Sequence, residues 1–481
     1  MFHPRSALTS ALCAALLLAG CGGGSSGGGN SSGPIAVAPS PTPTPTAQCT
    51  LRDRQLWAEA QIRQWYLFPE DLPASLSPDG FATVQAYIDA LTANARAANK
   101  DRFFTYITSI AEENAFFASG QTAAFGFRVT YDGNARRAFI LDAFETGPGF
   151  AAGLDRGAEL LAIGTTPDTL VPVATLFAQG GATAVSDALG PSQVGVTRTV
   201  RYTLNGVEQT ITITRAEFNI PPISPRFGVQ LFDEPGGKVG YVNLRSFISS
   251  AETPLRDAFA RFRSEGVTRL VIDYRYNGGG LVRIAELWGD LLGQNRLASD
   301  VYSFTVFRLS KSASNVNRLF RSTPEAVAPT DLAFITTGTS GSASELVPNA
   351  MLPYFQNRLT LVGSNTSGKP VGQIGVDRAA CDDRLRIVAF ATQNASRQGE
   401  YYNGLAPYLP SRGGKTCAAA DQYQLPIGRN EASLATAVSA VTGGTCNAIA
   451  ADGAIREQSL GLQPLLARAP SAAQWQMPGT F

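Results

Sequence analysis

From Lys238 onward the sequence alternates short apolar runs with amphipathic stretches, and this alternation constrains the fold more than any other feature of the chain. Strands are expected at residues 239–244, 268–274, 332–336 and 359–362, with helices at 253–264, 282–292 and 343–355 between them. A parallel neighbour can be reached only by a crossover connection, so this order implies a βα-layered core. Upstream, Leu51, Leu56, Ile62, Trp65 and Tyr66, then Val84, Tyr87, Ile88 and Leu91, recur at helical spacing. They give a helical N-terminal domain over 49–113. The fold class expected is mixed α/β and multidomain, since about 430 foldable residues exceed one ordinary core.

The only histidine of the 481 residues is His3. It falls in a segment expected to be removed, so the folded body has no imidazole. That excludes Ser-His-Asp and Cys-His hydrolases and histidine-liganded zinc. An acid or base catalyst must then be Lys, Asp, Glu, Tyr or Cys; no metal and no cofactor is expected. Lys and Arg total 39 against 38 Asp and Glu, a net charge of +1. No field favours nucleic acid.

Residues 1–20 read as a signal peptide, with Arg5 before an apolar run at 11–19 that is too short to span a bilayer. Leu18-Ala19-Gly20-Cys21 resembles the bacterial lipobox, which makes Cys21 the lipidated residue and gives the chain a membrane contact. Residues 21–48, rich in Gly, Ser and Pro, are a disordered tether. Gly22 stands where a retained inner-membrane lipoprotein carries aspartate, so the expected location is the outer membrane, facing the periplasm or the cell surface. Cys49, Cys381, Cys417 and Cys446 form an even set in an oxidising compartment and imply two disulfides, with three connectivities open.

Three segments sit just past expected strands, where a βα unit displays functional groups. The first, Asp273-Tyr274-Arg275-Tyr276-Asn277-Gly278-Gly279-Gly280, lacks dinucleotide spacing, but its glycines can turn backbone N–H groups towards an oxyanion. In the second, Ser340-Gly341-Ser342-Ala343-Ser344-Glu345, Ser342 and Glu345 have capping-box spacing. Equally, a serine at a helix N-terminus can be a nucleophile. The third is Gly368-Lys369-Pro370-Val371-Gly372-Gln373. Only five of the 39 basic residues are lysines, and a buried lysine is the one cation that can be deprotonated to act as a base.

Residues 114–218 resemble a PDZ domain. Two strand-like segments, 125–129 and 138–141, precede glycine-bearing turns, and Phe125, Gly126 and Phe127 match the loop that holds a peptide C-terminus while the peptide adds as a strand. A PDZ-like module followed by D-x-R-x-N-G-G-G, S-x-S-x-S-E and G-K-x-x-x-Q resembles the C-terminal processing peptidases, the tail-specific serine proteases, over about residues 50–446. The resemblance implies Ser342 as nucleophile, Lys369 as base, Gln373 as its orienting partner, and Ala343 with Gly279 or Gly280 as oxyanion donors. The peptidase core is expected over 219–446, acting on protein or peptide substrates. The tail 447–481 has no assigned role, and the oligomeric state is open. Two rivals remain: a non-catalytic ligand- or peptide-binding lipoprotein on the same fold, and a scaffold acting through PDZ-type binding alone.

Overall fold

The βα alternation closes, in this computed structural model, into a six-stranded sheet of order Val229–Glu234, Gly237–Asn243, Arg269–Asp273, Asp331–Thr336, Leu359–Gly363 and Lys415–Ala418. The structure describes residues 49–450 and 462–481; the expected signal peptide, Cys21 and the tether to residue 48 lie outside them. The first strand pair is antiparallel and every later pair is parallel. Alternate side chains of the central strands enter two different cores, as a period of two requires. Leu270, Ile272, Leu332, Phe334, Leu359 and Leu361 face the helices Glu252–Ser264, Val282–Leu292 and Ala343–Phe355. Val271, Ala333, Ile335 and Val362 face the helix Ala432–Val441. The helix Glu252–Ser264 meets the sheet through Leu255, Ala258, Phe259 and Phe262, the i, i+3, i+4, i+7 stripe of an amphipathic helix.

A five-stranded antiparallel sheet stands beside this core. It pairs Asp383–Gln393 with Tyr106–Ser109, Val301–Phe307 and Val371–Arg378, while Val316–Leu319 extends it. The N-terminal helices pack on it: Ala58, Ile62, Tyr66, Val84, Ile88 and Leu91 share a core with Val371, Leu385, Ile387 and Val388. The helical spacing that begins at Val84 falls on the helix Val84–Leu91, and a second short helix, Ala93–Ala97, follows it. At the break, the Thr92 hydroxyl bonds back to the Ile88 carbonyl (3.0 Å), a side-chain bond that competes with helix propagation.

The PDZ-like module is a seven-stranded sheet running Leu462–Pro464, Phe127–Asp132, Arg137–Ala143, Glu159–Gly164, Thr197–Leu204 and Val207–Thr214, with Val171–Pro172 paired to Glu159–Gly164. The helical segment Val173–Leu189, broken at Gly180 and Gly181, closes its core with Val185 and Leu189. Buried Arg245 of the central core holds Asp142 of the module in a two-pronged ion pair (2.9 and 2.9 Å) and reaches Glu145 at 2.7 Å. Such planar charge-assisted pairs fix orientation as well as distance. The disulfides are Cys49–Cys381 and Cys417–Cys446, with Cα separations of 5.6 and 5.4 Å.

Trp288 is fully buried, edge-on to Phe259 (5.5 Å) and Tyr274 (5.6 Å). Trp288→Ala should lower the urea-unfolding free energy by ~3–5 kcal/mol, whereas Leu309→Ala, at a side chain 90% exposed, should leave it unchanged within about 0.5 kcal/mol.

Candidate active site

The strands Arg269–Asp273, Asp331–Thr336 and Leu359–Gly363 are adjacent and parallel. Their carboxyl ends therefore emerge side by side, and the loops that follow carry the three motifs. Ser342 opens the helix Ala343–Phe355 at φ 54 and ψ −114, a left-sided conformation that costs a non-glycine residue about 1–3 kcal/mol. One buried carboxylate supports this turn. Glu345 accepts the Ser342 N–H (3.0 Å) and, from the lysine loop, the Thr366 hydroxyl (2.6 Å) and the N–H groups of Gly368 (2.6 Å) and Lys369 (2.8 Å). Burial pushes the Glu345 pKa up while these donors pull it down, and burial wins.

Asn277 staples the glycine turn to the serine loop. Its side-chain amide donates to the Leu244 carbonyl (2.7 Å), and its own carbonyl accepts the Gly341 N–H (3.1 Å) and the Ser344 hydroxyl (2.8 Å). Gly279, at φ 112, approaches so closely that a Cβ there would lie 2.8 Å from the Ser342 Cβ and 2.9 Å from the Ala343 nitrogen. Any side chain would push the two loops apart. The Gly279 N–H, however, donates to Asn277 Oδ1 (2.9 Å). Among the described residues the Ala343 and Gly280 N–H groups carry no hydrogen bond, so these are the open donors of the expected set.

Lys369 Nζ donates to Gln373 Oε1 (2.9 Å) and lies 4.8 Å from the centre of the Phe104 ring, while Gln373 Nε2 donates to the Phe104 carbonyl. A register shift in the strand pairing at Gly372/Gln373 turns Gln373 towards the lysine. Lys369 retains some accessible surface, but desolvation of its ammonium, assisted by Arg386 and opposed by Asp101 and Glu345, lowers its pKa to about 8. Among the described residues no hydrogen bond joins Ser342 to Lys369.

The sequence reading missed the supports of this site. Arg102 of the N-terminal part donates to the Gly368 carbonyl (2.7 Å) and to that of Ser367. Buried Asp101 accepts the Phe104 N–H (2.7 Å) and so fixes the ring beside the lysine. The Asp and Arg of the first motif are structural. Buried Arg275 pairs with Asp273 (2.7 Å) and Glu431 (2.8 Å). Tyr276, at φ 61, donates its hydroxyl to Asp421 and accepts from Arg156 (2.7 Å), while Arg128 donates to the Tyr276 carbonyl. Arg128 and Arg156 belong to the PDZ-like module, so the glycine turn is gripped from that side. Only their spacing to each other is visible in the sequence, and it carries no signal.

A sequence profile described as peptidase family S41 matches residues 238–406, which include all three site loops but neither the N-terminal helices nor the PDZ-like module. A carboxyl-terminal-processing protease of Synechocystis is 27% identical over 256 residues, covering 52% of this chain and 54% of that protein. A chloroplastic C-terminal processing peptidase of Tetradesmus obliquus is 27% identical over 279 residues, covering 54% of each. The chain thus spans about half the length of the curated relatives it matches. A crystal structure of a Bacteroides fragilis protein assigned to the S41 proteases superposes with a TM-score of 0.61 over 84% of this chain and 99% of that one, at 22% identity, which establishes a shared fold. At the level of family, residues 238–406 are similar to the core of serine-type C-terminal processing peptidases.

Glu345→Ala would leave three N–H groups and one hydroxyl in the interior without an acceptor. The expected loss is at least ~3 kcal/mol in chemical unfolding. A loss below about 1 kcal/mol would show that the carboxylate does not bind the two loops together.

Proposed function

We propose that this chain is a serine endopeptidase of the bacterial cell envelope in which Ser342 is the nucleophile and Lys369 the general base. The observation that carries the reading is the convergence of the serine turn, the glycine turn and a desolvated lysine at the ends of three adjacent parallel strands, in a body without histidine. In the reaction, neutral Lys369 takes the Ser342 proton as the serine oxygen adds to a peptide carbonyl. The oxyanion then accepts from Ala343 and from the glycine turn. Collapse of the tetrahedral species transfers the proton to the leaving amine and leaves an acyl-serine, which water hydrolyses. Gln373 keeps the lysine chain in place between these steps. The PDZ-like module would bring substrate C-termini to the site through the Phe125 to Phe127 loop.

The lysine is half deprotonated at its pKa of about 8 and increasingly so above it, so the rate should climb as pH rises through that value. Ser342→Ala should abolish peptide cleavage. Lys369→Arg should be as damaging as Lys369→Ala, because arginine stays protonated at every working pH. Near-normal turnover by Lys369→Arg would reduce the lysine to a fixed cation and end the dyad mechanism. The missing Ser342–Lys369 hydrogen bond favours one rival, a non-catalytic binding protein on the same fold. A fluorophosphonate probe decides between them by mass spectrometry: labelling at Ser342 supports the peptidase, and an unlabelled serine in folded protein supports the rival.

We read the chain as tethered to a membrane by lipid on Cys21, with residues 22–48 as spacer; no described helix is long and apolar enough to cross a membrane. Cys21→Ser should move the protein from the membrane fraction to the soluble one without changing its turnover, since the spacer uncouples anchor from body. Persistence in the membrane fraction after a high-salt wash would require another anchor.

A further inference from the structure

The groove strand Phe127–Asp132 is already paired, and its partners are residues 462–465 and 479–481 of the same chain. Leu462, Gln463 and Pro464 lie antiparallel to Asp132, Tyr131 and Thr130, and the Leu465 N–H continues the ladder to the Val129 carbonyl (3.0 Å). The chain then leaves the groove, forms the helix Ala472–Gln476, and returns. Val129 donates to the Gly479 carbonyl (2.8 Å), Thr480 bridges Arg128, and the Phe481 N–H donates to the Phe127 carbonyl (2.9 Å). The Phe481 oxygen accepts from the N–H groups of Gly126 (2.9 Å) and Phe127 (3.3 Å), the loop that the sequence marked for peptide binding. The Phe481 ring is buried with Phe125, Phe127, Val185 and Leu189. Gly479 sits at φ 88 where a Cβ would come within 2.7 Å of the Val129 carbonyl oxygen, so no side chain fits at that place in the groove.

The returning helix lies against the site. Trp475 stacks on Tyr106 at 4.3 Å, and Gln476 Nε2 donates to the Tyr106 hydroxyl (2.6 Å), which in turn interacts with Gln373. The Gln476 carbonyl packs on Gly278 of the glycine turn, 2.4 Å from where a Cβ would stand. Ala473 and Met477 are buried among Phe116 of the N-terminal part, Phe144 of the PDZ-like module and Ile248 of the core.

We propose that residues 462–481 are a resident ligand of the peptide groove, and that a substrate segment with an aromatic side chain and a glycine two positions before it must displace Gly479–Phe481 to be bound. The occupancy stands on the geometry above; its consequence for cleavage rests on the peptidase reading. A resident strand lowers the apparent affinity of any competing peptide by the fraction of time the groove is open. It also keeps the segment 475–478 beside the glycine turn until displacement occurs.

The test uses a fluorescein-labelled peptide, Gln-Met-Pro-Gly-Thr-Phe with a free carboxylate, titrated by anisotropy into Ser342→Ala protein with and without Phe481→Asp. Binding at least roughly tenfold tighter to the Phe481→Asp protein is expected, and equal affinity in two folded proteins overturns the proposal. Should Phe481→Asp fail to fold, hydrogen exchange on the Ser342→Ala protein decides. The Phe481 amide should be protected and should lose that protection in excess unlabelled peptide. An amide unprotected from the start, or one still protected in excess peptide, overturns the proposal. The same peptide with Ser342 intact separates the two readings. Tighter binding without cleavage removes the peptidase and leaves the occupancy, while cleavage with unchanged affinity does the reverse.

Discussion

The Glu345 carboxylate is the interaction on which the site depends. Two loops from neighbouring strands must be held within reach of one another although each has only short local structure of its own. A carboxylate offers about four acceptor positions, and Glu345 uses them on four donors drawn from both loops. The same hydrogen bonds hold Ser342 in a conformation that an isolated helix N-terminus would not choose. Burying a charge without partners would cost several kcal/mol, so each donor is as necessary to the carboxylate as the carboxylate is to the loops. What capping-box spacing indicates as a helix-end device is here a fastener between helix and loop.

The parallel sheet sets the distances within which this fastening works. Adjacent strands place their following loops about 5 Å apart at the backbone. Asn277 then locks the glycine turn against the serine loop, and Arg275, Arg128 and Arg156 hold the turn from behind. The contacts of Arg275 with Glu431 and of Arg128 and Arg156 with Tyr276 join parts of the chain more than a hundred residues apart. The N-terminal helices, the PDZ-like module and the central core thus each contribute to one small volume.

This division explains how much could be read from the sequence. The four central strands of the core and the helices 253–264, 282–292 and 343–355 follow from hydrophobic patterning, whereas the edge strands Val229–Glu234 and Lys415–Ala418 and the helix Ala432–Val441 were not legible in it. The three loops were legible because glycine, serine and lysine are unusual in combination. Arg102, Asp101 and Phe104 were not, since nothing in their local sequence distinguishes a side chain that reaches across to residues 367–373 from a solvated one. Gly279 was legible as a special position but not in its use: the tight approach to Ser342 is what demands glycine, while its N–H serves Asn277. The segment 462–481 has weak periodicity because its register is set by a partner strand more than 300 residues away, and such pairing leaves no local trace.

Residues 49–481 contain no histidine, so a lysine is the basic side chain at the site. A lysine in water stays protonated near its ordinary pKa of about 10.4 and is no base at neutral pH. Lowering it to about 8 requires removing its ammonium from water without supplying a carboxylate at contact distance. The neutral amide of Gln373 and the face of Phe104 meet that need, because both orient the ammonium with far less stabilisation than a full negative charge gives. Glu345 is close by but directs its oxygens to N–H and hydroxyl donors, the Lys369 backbone N–H among them, and not to the ammonium. Asp101 is likewise turned to Phe104, Thr105 and Tyr66. Two buried carboxylates therefore sit near the lysine with their oxygens turned to other donors; both still raise its pKa, and desolvation of the ammonium outweighs them.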